Sequence, residues 1–348
     1  MKWKDKKRKW ELRNCKKGNK KRKHSKRLYS SAMRTAKNYE DGNYKKYVTK
    51  DIDVLSIYDN TEETYEYFND IIDEIRKKNY KEQFFFNLMN VKKISIDAIM
   101  YILAILRNIK DSSVYRYRFS GNQPINKDAN DLFIKSGFFD YVRTRNVFMK
   151  TDSDNMQIKT GDIVNAEVAK NISDFINVNC GTSKLFTAEL YEMIIELMTN
   201  TVQHAYSDSK ILVTNQWYIF VGNEEKHFTF VFLDTGVGIP QTVNKKAREK
   251  FGDLMTKNKD SYYLESALMG EWRSSTAESY RGKGLPSIVE YTKRPEVSHC
   301  RIYSGHGMCK IDKKKEKSIL PVNYGNKLFG TLIYCRIEKN KIGDEYYE

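Results

Sequence analysis

The sequence predicts a mixed α/β protein, of the α/β or α+β class, with a basic N-terminal arm followed by two folded units. Strand-like and helix-like apolar patterns alternate after the arm, which is typical of layered α/β folds. The 348 residues are 40% hydrophobic and 13% aromatic, enough to bury more than one small core. Residues 1–50 contain 20 Lys and Arg against four Asp and Glu, whereas the remainder contains 41 of each sign. The net charge of +16 therefore belongs to the arm.

The arm, residues 1–48, has too few apolar residues for a core, and we expect it to be disordered or partly helical. Lysine runs of this kind are typical of segments that bind polyanions, and equally of solvated tails. Trp3, Trp10, Tyr29 and Tyr39 lie among the basic residues, and aromatic rings stack on unpaired bases. The arm is thus a candidate nucleic-acid contact, with ribosome association, an anionic membrane or a solubilising tail as alternatives.

The first folded unit is predicted to span residues 49–150, as an alternation of strands and helices. We expect strands over Asp53–Tyr58, Gln83–Leu88 and Tyr115–Phe119, and helices over Thr64–Lys78, Asp97–Ile109 and Ala129–Ser136. Apolar residues at helical spacing mark the helices, and short β-rich apolar runs mark the strands. This alternation predicts an α/β layer.

A buried strand, Phe84–Leu88, is followed by a turn that reads Ser95-Ile96-Asp97-Ala98 at the start of a helix. This order resembles the STAS fold of anti-sigma-factor antagonists, in which the turn carries Asp-Ser-Ser-Gly. Ser95 stands where the family has its aspartate, and an acidic or apolar residue stands where the family has its phosphorylated serine. The resemblance therefore implies a STAS-like docking domain, and not the phosphoserine switch.

The polar, turn-rich residues 150–165 predict a boundary, and a second unit spans residues 151–348. A helix capped by Thr187 carries Glu196, Asn200 and His204 at i, i+4 and i+8, which places them on one face. A polar stripe on so apolar a helix is costly to bury without partners, so we expect it to line a site. His204 either contacts a ligand there or packs.

Two glycine-containing segments follow this helix. The strand 228–233 is followed by Asp234, and then by Gly236 and Gly238. A carboxylate at this strand end can accept a hydrogen bond from an amine. The glycines let the backbone approach a flat ring closely. Residues 281–288 begin a helix with Gly282 and Gly284, and free N–H groups at a helix start suit a phosphate. A late strand covers 330–337.

These four segments, in this order, resemble the GHKL ATPase superfamily, and most of all its anti-sigma-factor kinase and histidine-kinase branch. The resemblance implies the Bergerat fold, a mixed sheet with helices on one face, and it implies ATP and Mg²⁺ as cofactors. Asn200 would bind Mg²⁺, and Glu196 would be the general base. Asp234 would recognise the adenine amino group, with Thr331 helping through water, and Gly236 and Gly238 would line the base. Phosphate contacts would come from Gly282, Lys283 and Gly284, and from Ser275 and Thr276 in a mobile lid over 241–280.

His299, Cys300, His306 and Cys309 raise the alternative of a zinc site, but the segment 300–311 alternates about a glycine and is better explained as a β-hairpin. The five cysteines are scattered without a CxxC pair, which favours a reducing, cytoplasmic location. No stretch approaches ~20 apolar residues, so no membrane span is expected.

The function predicted first is an ATP-binding regulator in which slow ATP hydrolysis drives a lid and docking switch toward a protein partner. The alternatives are a protein-serine kinase that resembles anti-sigma factors and acts on a STAS-type partner, a nucleic-acid-binding ATPase that uses the arm, and a fold that has lost catalysis. Only His24 precedes the second unit, which argues against a histidine autokinase. A homodimer is left open.

Overall fold

The computed structural model describes residues 46–77, 83–111, 118–142, 156–204, 215–251, 259–271, 284–312 and 318–339. Within these ranges the mixed α/β class is confirmed, since parallel and antiparallel sheets both occur and helices cover them. None of the helices described is long and apolar enough to cross a membrane. The arm up to residue 45 lies outside the described residues, as do Ser275, Thr276, Gly282 and Lys283.

The first unit alternates strands and helices, as predicted. Its elements are β1 (Lys46–Val48), β2 (Val54–Leu55), α1 (Thr61–Arg76), β3 (Gln83–Phe86), β4 (Lys93–Ile94), α2 (Ile96–Asp111), β5 (Arg118–Gly121), α3 (Lys127–Lys135) and α4 (Phe138–Tyr141). Strands β1, β3 and β5 form a parallel sheet in that order, and β2 pairs with β4 in parallel. The helix α3 is capped by Asn126, whose side chain accepts from the Ala129 amide.

Two boundaries of the first unit differ from the predictions. Lys46–Val48, predicted as the end of the arm, form β1 and pair with β3. The strand predicted over Asp53–Tyr58 is only two residues long, because the amides of Ile57 and Tyr58 donate to the Asp97 carboxylate, at 3.1 Å each, rather than to a neighbouring strand.

The second unit is built on one five-stranded sheet. Its elements are β6 (Met156–Gly161), α5 (Ala166–Cys180), α6 (Lys184–His204), β7 (Trp217–Asn223), β8 (His227–Asp234), α7 (Ile239–Phe251), α8 (Asp260–Leu268), α9 (Gly284–Thr292), β9 (Val297–Ile311) and β10 (Ile319–Glu338). The strand order is β6-β7-β8-β10-β9, and every neighbouring pair is antiparallel rather than mixed.

Both faces of this sheet are buried. Side chains alternate along β7 and β8, so Ile219 and Phe230 lie in the core formed with α5, α6 and α9. Tyr218 and Leu233 point to the opposite face and lie in one core with residues of α1 and α2. The helices of the second unit therefore cover one face, as expected, and the first unit covers the other.

The predicted boundary at 150–165 contains the edge strand β6. Its Ile158 is buried, and the Ile158 amide donates to the Ser136 carbonyl of the first unit at 2.8 Å. The cap predicted at Thr187 is wrong. The helix α6 begins at Lys184, where the Ser183 hydroxyl accepts from the Phe186 amide. The Thr187 hydroxyl bonds to the Ser183 carbonyl within the first turn.

The hairpin predicted over 300–311 is also wrong. These residues lie in the single strand β9, which pairs with β10 on both sides of Gly305. Gly305 has a φ of 60°, and the β10 register shifts opposite it, so the glycine marks an irregularity within one strand. Among the described residues no three His, Cys, Asp or Glu side chains are placed to hold a metal ion.

Candidate functional site

Three polar residues form a row across neighbouring strands at one end of the sheet. Asp234, the last residue of β8, pairs with Thr331 of β10, and Thr331 pairs with Ser304 of β9. Thr331 and Ser304 are buried, and Asp234 is partly exposed. The sequence predicted two members of this row, Asp234 and Thr331.

The Asp234 carboxylate accepts hydrogen bonds from the protein and can accept a further one. The Gly236 amide donates to its Oδ1 at 2.8 Å, and the Thr331 amide and hydroxyl also donate to the carboxylate. Burial nevertheless raises the pKa of Asp234 to about 6, because the lost hydration outweighs these hydrogen bonds. A carboxylate offers about four acceptor positions, so this side chain can accept a further hydrogen bond from a ligand amine.

Close packing around Asp234 requires glycine at two positions, one in the turn after Asp234 and one in β10. Gly238 has a φ of 85°, and a Cβ there would lie 2.9 Å from Ser304 Oγ. Gly330 has a φ of 104°, and its Cβ would overlap the carbonyl oxygen of Asp234. Backbone therefore approaches backbone closely around the carboxylate, and side chains of other residue types are excluded.

Ser304 was missed by sequence reasoning. Its hydroxyl accepts from the Ile239 amide at 2.9 Å, donates to the Gly330 carbonyl at 2.9 Å, and lies 3.2 Å from Thr331 Oγ1. It thus joins the glycine turn to β10. The available signal was a serine between Tyr303 and Gly305 of β9, but the side chain's partners are distant in sequence.

Glu196 and Asn200 lie together on α6, as predicted from their spacing, and both are half-buried. Leu197 and Met198, on another face, anchor the helix in the core against the sheet. Burial raises the pKa of Glu196. The Asn200 side-chain nitrogen is buried and has no hydrogen-bond partner among the described residues, so this amide is free to bind an oxygen of a ligand.

Gly284 is the first residue of α9, which agrees with a helix that begins at the second glycine segment. The helix α9 lies beside α6: the Phe186 and Tyr291 rings are 5.2 Å apart, and Arg294, two residues after α9, donates from Nε to Glu189 at 2.7 Å. The structure therefore brings the Glu196–Asn200 helix next to the Gly284 helix. His204 is the last residue of α6, and the structure describes its backbone.

Part of the predicted lid belongs to the body of the unit. Within 241–280, the helix α8 buries Leu264 and Leu268 in the main core. Asp260, at the start of α8, accepts from the His306 amide of β9 at 2.8 Å. A lid that moves freely would have to exclude this helix, since its movement would expose core side chains to water.

No family model matches this chain, and no curated protein matches it either. Among solved structures, a chain of the SiaB-SiaC complex from Pseudomonas aeruginosa is a weak structural neighbour. It matches with 11% sequence identity and a TM-score of 0.26, over 53% of this chain and 90% of that chain.

Proposed function

We propose that the second unit binds Mg-ATP and that the protein is an ATP-dependent regulator. The observation that supports this most is the Asp234 carboxylate, which is held by Gly236 and Thr331 and bordered by two glycines with positive φ. A partly buried acceptor beside close backbone suits a flat base with an exocyclic amine. Adenine has that chemistry.

The second supporting observation is the buried, unpartnered amide of Asn200. An Asn side chain at this position would hold Mg²⁺ through its oxygen, and its nitrogen would donate to a phosphate oxygen. Bound Mg²⁺ neutralises phosphate charge and orients the phosphates. The phosphate contacts remain predictions from the sequence for Gly282, Lys283, Gly284, Ser275 and Thr276. Of these residues the structure describes Gly284.

Glu196 is proposed as the general base. It lies one helical turn before Asn200, and its raised pKa makes its carboxylate a better proton acceptor. In hydrolysis it would take the proton of the attacking water as the terminal phosphoryl group leaves ADP. In a kinase it would take the proton of a protein hydroxyl, so the same residue serves both candidate activities.

The experiment that tests the adenine site compares ATP with inosine triphosphate, in which a carbonyl replaces the amine. Wild type should prefer ATP. In Asp234→Asn the amide can donate to the inosine carbonyl, so ATP should lose roughly 5- to 150-fold in affinity, equal to about 1–3 kcal/mol, and the preference should shrink or reverse. Isothermal titration that gives the same ATP-to-inosine ratio in both proteins contradicts the assignment.

Mass spectrometry after incubation with Mg-ATP separates the proposed activities. ADP without phosphopeptides supports the regulatory ATPase, and phosphopeptides on a co-purified partner support the protein-serine kinase. Intact ATP in every sample would leave a binding switch without catalysis. A nucleic-acid-stimulated rate, lost when the arm is deleted, would favour the nucleic-acid-dependent ATPase.

A further inference from the structure

One segment of β10 loses its regular register with β9 and is held by the first unit. Pairing of β10 with β9 shifts between Asn323 and Leu328 and again between Leu328 and Thr331, so residues 324–327 form an irregular stretch. Only Leu328 and Phe329 separate this stretch from Gly330 and Thr331, the residues that contact Asp234. The contacts that hold this segment therefore affect the geometry of the proposed nucleotide site.

The helix α1 binds the first half of the segment. The Glu62 carboxylate accepts from the amides of Gly325 and Asn326, at 3.1 and 3.2 Å. The Asn69 side-chain nitrogen donates to the Lys327 carbonyl at 2.8 Å. Backbone groups that the sheet does not pair thus find their partners on the first unit.

Tyr101 of α2 binds the second half. Its hydroxyl accepts from the Phe329 amide at 3.0 Å and lies 3.4 Å from the Phe329 carbonyl, and the tyrosine is 2% exposed. The Phe329 ring is also covered by the Arg76 guanidinium, at 4.7 Å from the ring centre. Phe329 is therefore fixed through its backbone and its side chain by residues of the first unit.

Phe329 lies two residues before Thr331, a distance of about 7 Å along an extended strand. Gly330, between them, packs against the Asp234 carbonyl, and the Thr331 amide and hydroxyl donate to the Asp234 carboxylate. A shift of the Phe329 backbone would therefore be passed to the donors that orient this carboxylate, since the two intervening peptide units are planar and stiff.

We infer that the first unit is a positioning element of the nucleotide site, and that Tyr101 is the positioning residue that sets Thr331 against Asp234. This inference rests on the proposed function. It assigns the first unit a role in recognition of the base, beyond that of a docking domain: ATP affinity depends on how firmly α1 and α2 hold residues 325–329.

The test compares Tyr101→Phe with Tyr67→Phe in the full-length protein. Tyr67 is a matched control, because it is 4% exposed and its hydroxyl donates to Thr49 Oγ1 at 3.0 Å within the first unit. Each variant loses one buried hydroxyl. The two readouts are hydrogen exchange of the Thr331 amide without nucleotide and ATP affinity by titration, both at a temperature at which all three proteins are folded.

Tyr101→Phe should speed exchange at Thr331 and weaken ATP binding by roughly 5- to 10-fold, the lower part of the range for loss of a buried hydrogen bond. Tyr67→Phe should match wild type in both readouts. Equal behaviour of the two variants, whether unchanged or equally weakened, overturns the inference and leaves the proposed function standing. Wild type that binds no ATP overturns the proposed function and, with it, the positioning role.

Discussion

At the scale of single residues, two carboxylates have pKa values raised by burial but have different roles. Burial raises the pKa of both Asp97 and Asp234 to about 6. Asp97 is fully buried, and its carboxylate accepts hydrogen bonds within the first unit. The donors are the amides of Ile57 and Tyr58 and the Ser95 hydroxyl. Asp234 is partly exposed at a strand end. A raised pKa therefore does not by itself identify a functional site.

Asp97 should make stability depend on pH. Its folded pKa of about 6 lies above the reference value of 3.8, so the folded state binds the proton more tightly. As pH rises from 3.8 through 6, the folded state is progressively destabilised, by up to about 3 kcal/mol. Wild type should therefore lose free energy of unfolding relative to Asp97→Asn as pH rises from 4 to 7. Urea unfolding of both proteins at several pH values measures this difference. A pH-independent difference contradicts the raised pKa.

Glu196→Gln should separate chemistry from binding at the proposed site. Glutamine keeps the size and polarity of the side chain but cannot take a proton from the attacking oxygen. We expect ATP affinity close to wild type and turnover about 10²-fold slower, the low end of what a general base supplies. Asn200→Ala should instead lose Mg-dependent binding. Wild-type turnover in Glu196→Gln would make Glu196 structural.

At the scale of elements, the site depends on how closely β8 and β10 approach each other. Gly330 combines a φ of 104° with direct contact to the Asp234 carbonyl. These are constraints on a strand pair, since the two residues belong to different strands. Ser304, in the middle of β9, belongs to the same row.

Gly330→Ala should lower the free energy of unfolding by roughly 2–3 kcal/mol, because alanine is strained at this φ and its Cβ meets the Asp234 backbone. Gly222→Ala in β7 is the control: its Cβ would meet mainly the end of the Phe220 side chain, which can move. Urea unfolding should show the smaller loss in Gly222→Ala. An equal loss would mean that the strand pair relaxes around the added methyl group.

At the scale of the whole molecule, the two folded units share one core. Residues of α1 and α2 pack with Tyr218, Leu233 and Tyr334 on one face of the five-stranded sheet. An aromatic and a polar contact reinforce this face: the Tyr58 and Tyr334 rings stack 4.4 Å apart, and Arg301 donates to the Tyr58 carbonyl at 2.8 Å. The first unit is therefore integrated with the second through apolar and polar contacts.

The arm supplies the last prediction. Deletion of residues 1–45, which retains β1, should leave ATP affinity unchanged and remove polyanion binding, because the arm carries the net charge. For the full chain, log K for RNA should fall against log salt by about 0.7 to 0.9 per phosphate contact. Filter binding at several salt concentrations measures this slope. Equal RNA affinity in the two proteins would make the arm a solvated tail.

The sequence by itself determined the local features with strong periodicity or strict steric demands. The helix over 96–111, the strand that ends at Asp234 and the polar face of α6 follow from apolar spacing within each segment. Thr331 was identified through the family resemblance, and its contact with Asp234 is present. Local spacing predicts such elements because neighbouring residues decide which faces are apolar.

Tertiary structure decided which elements meet. The strands β7 and β8 are apolar on both faces, which implies burial on both sides but does not identify the first unit as the cover. Ser304 and Tyr101 find their partners 26 and 228 residues away, and β9 continues through Gly305 because β10 pairs with it on both sides. These features depend on contacts between distant segments, and hydrophobic periodicity carries no information about the partner across a contact.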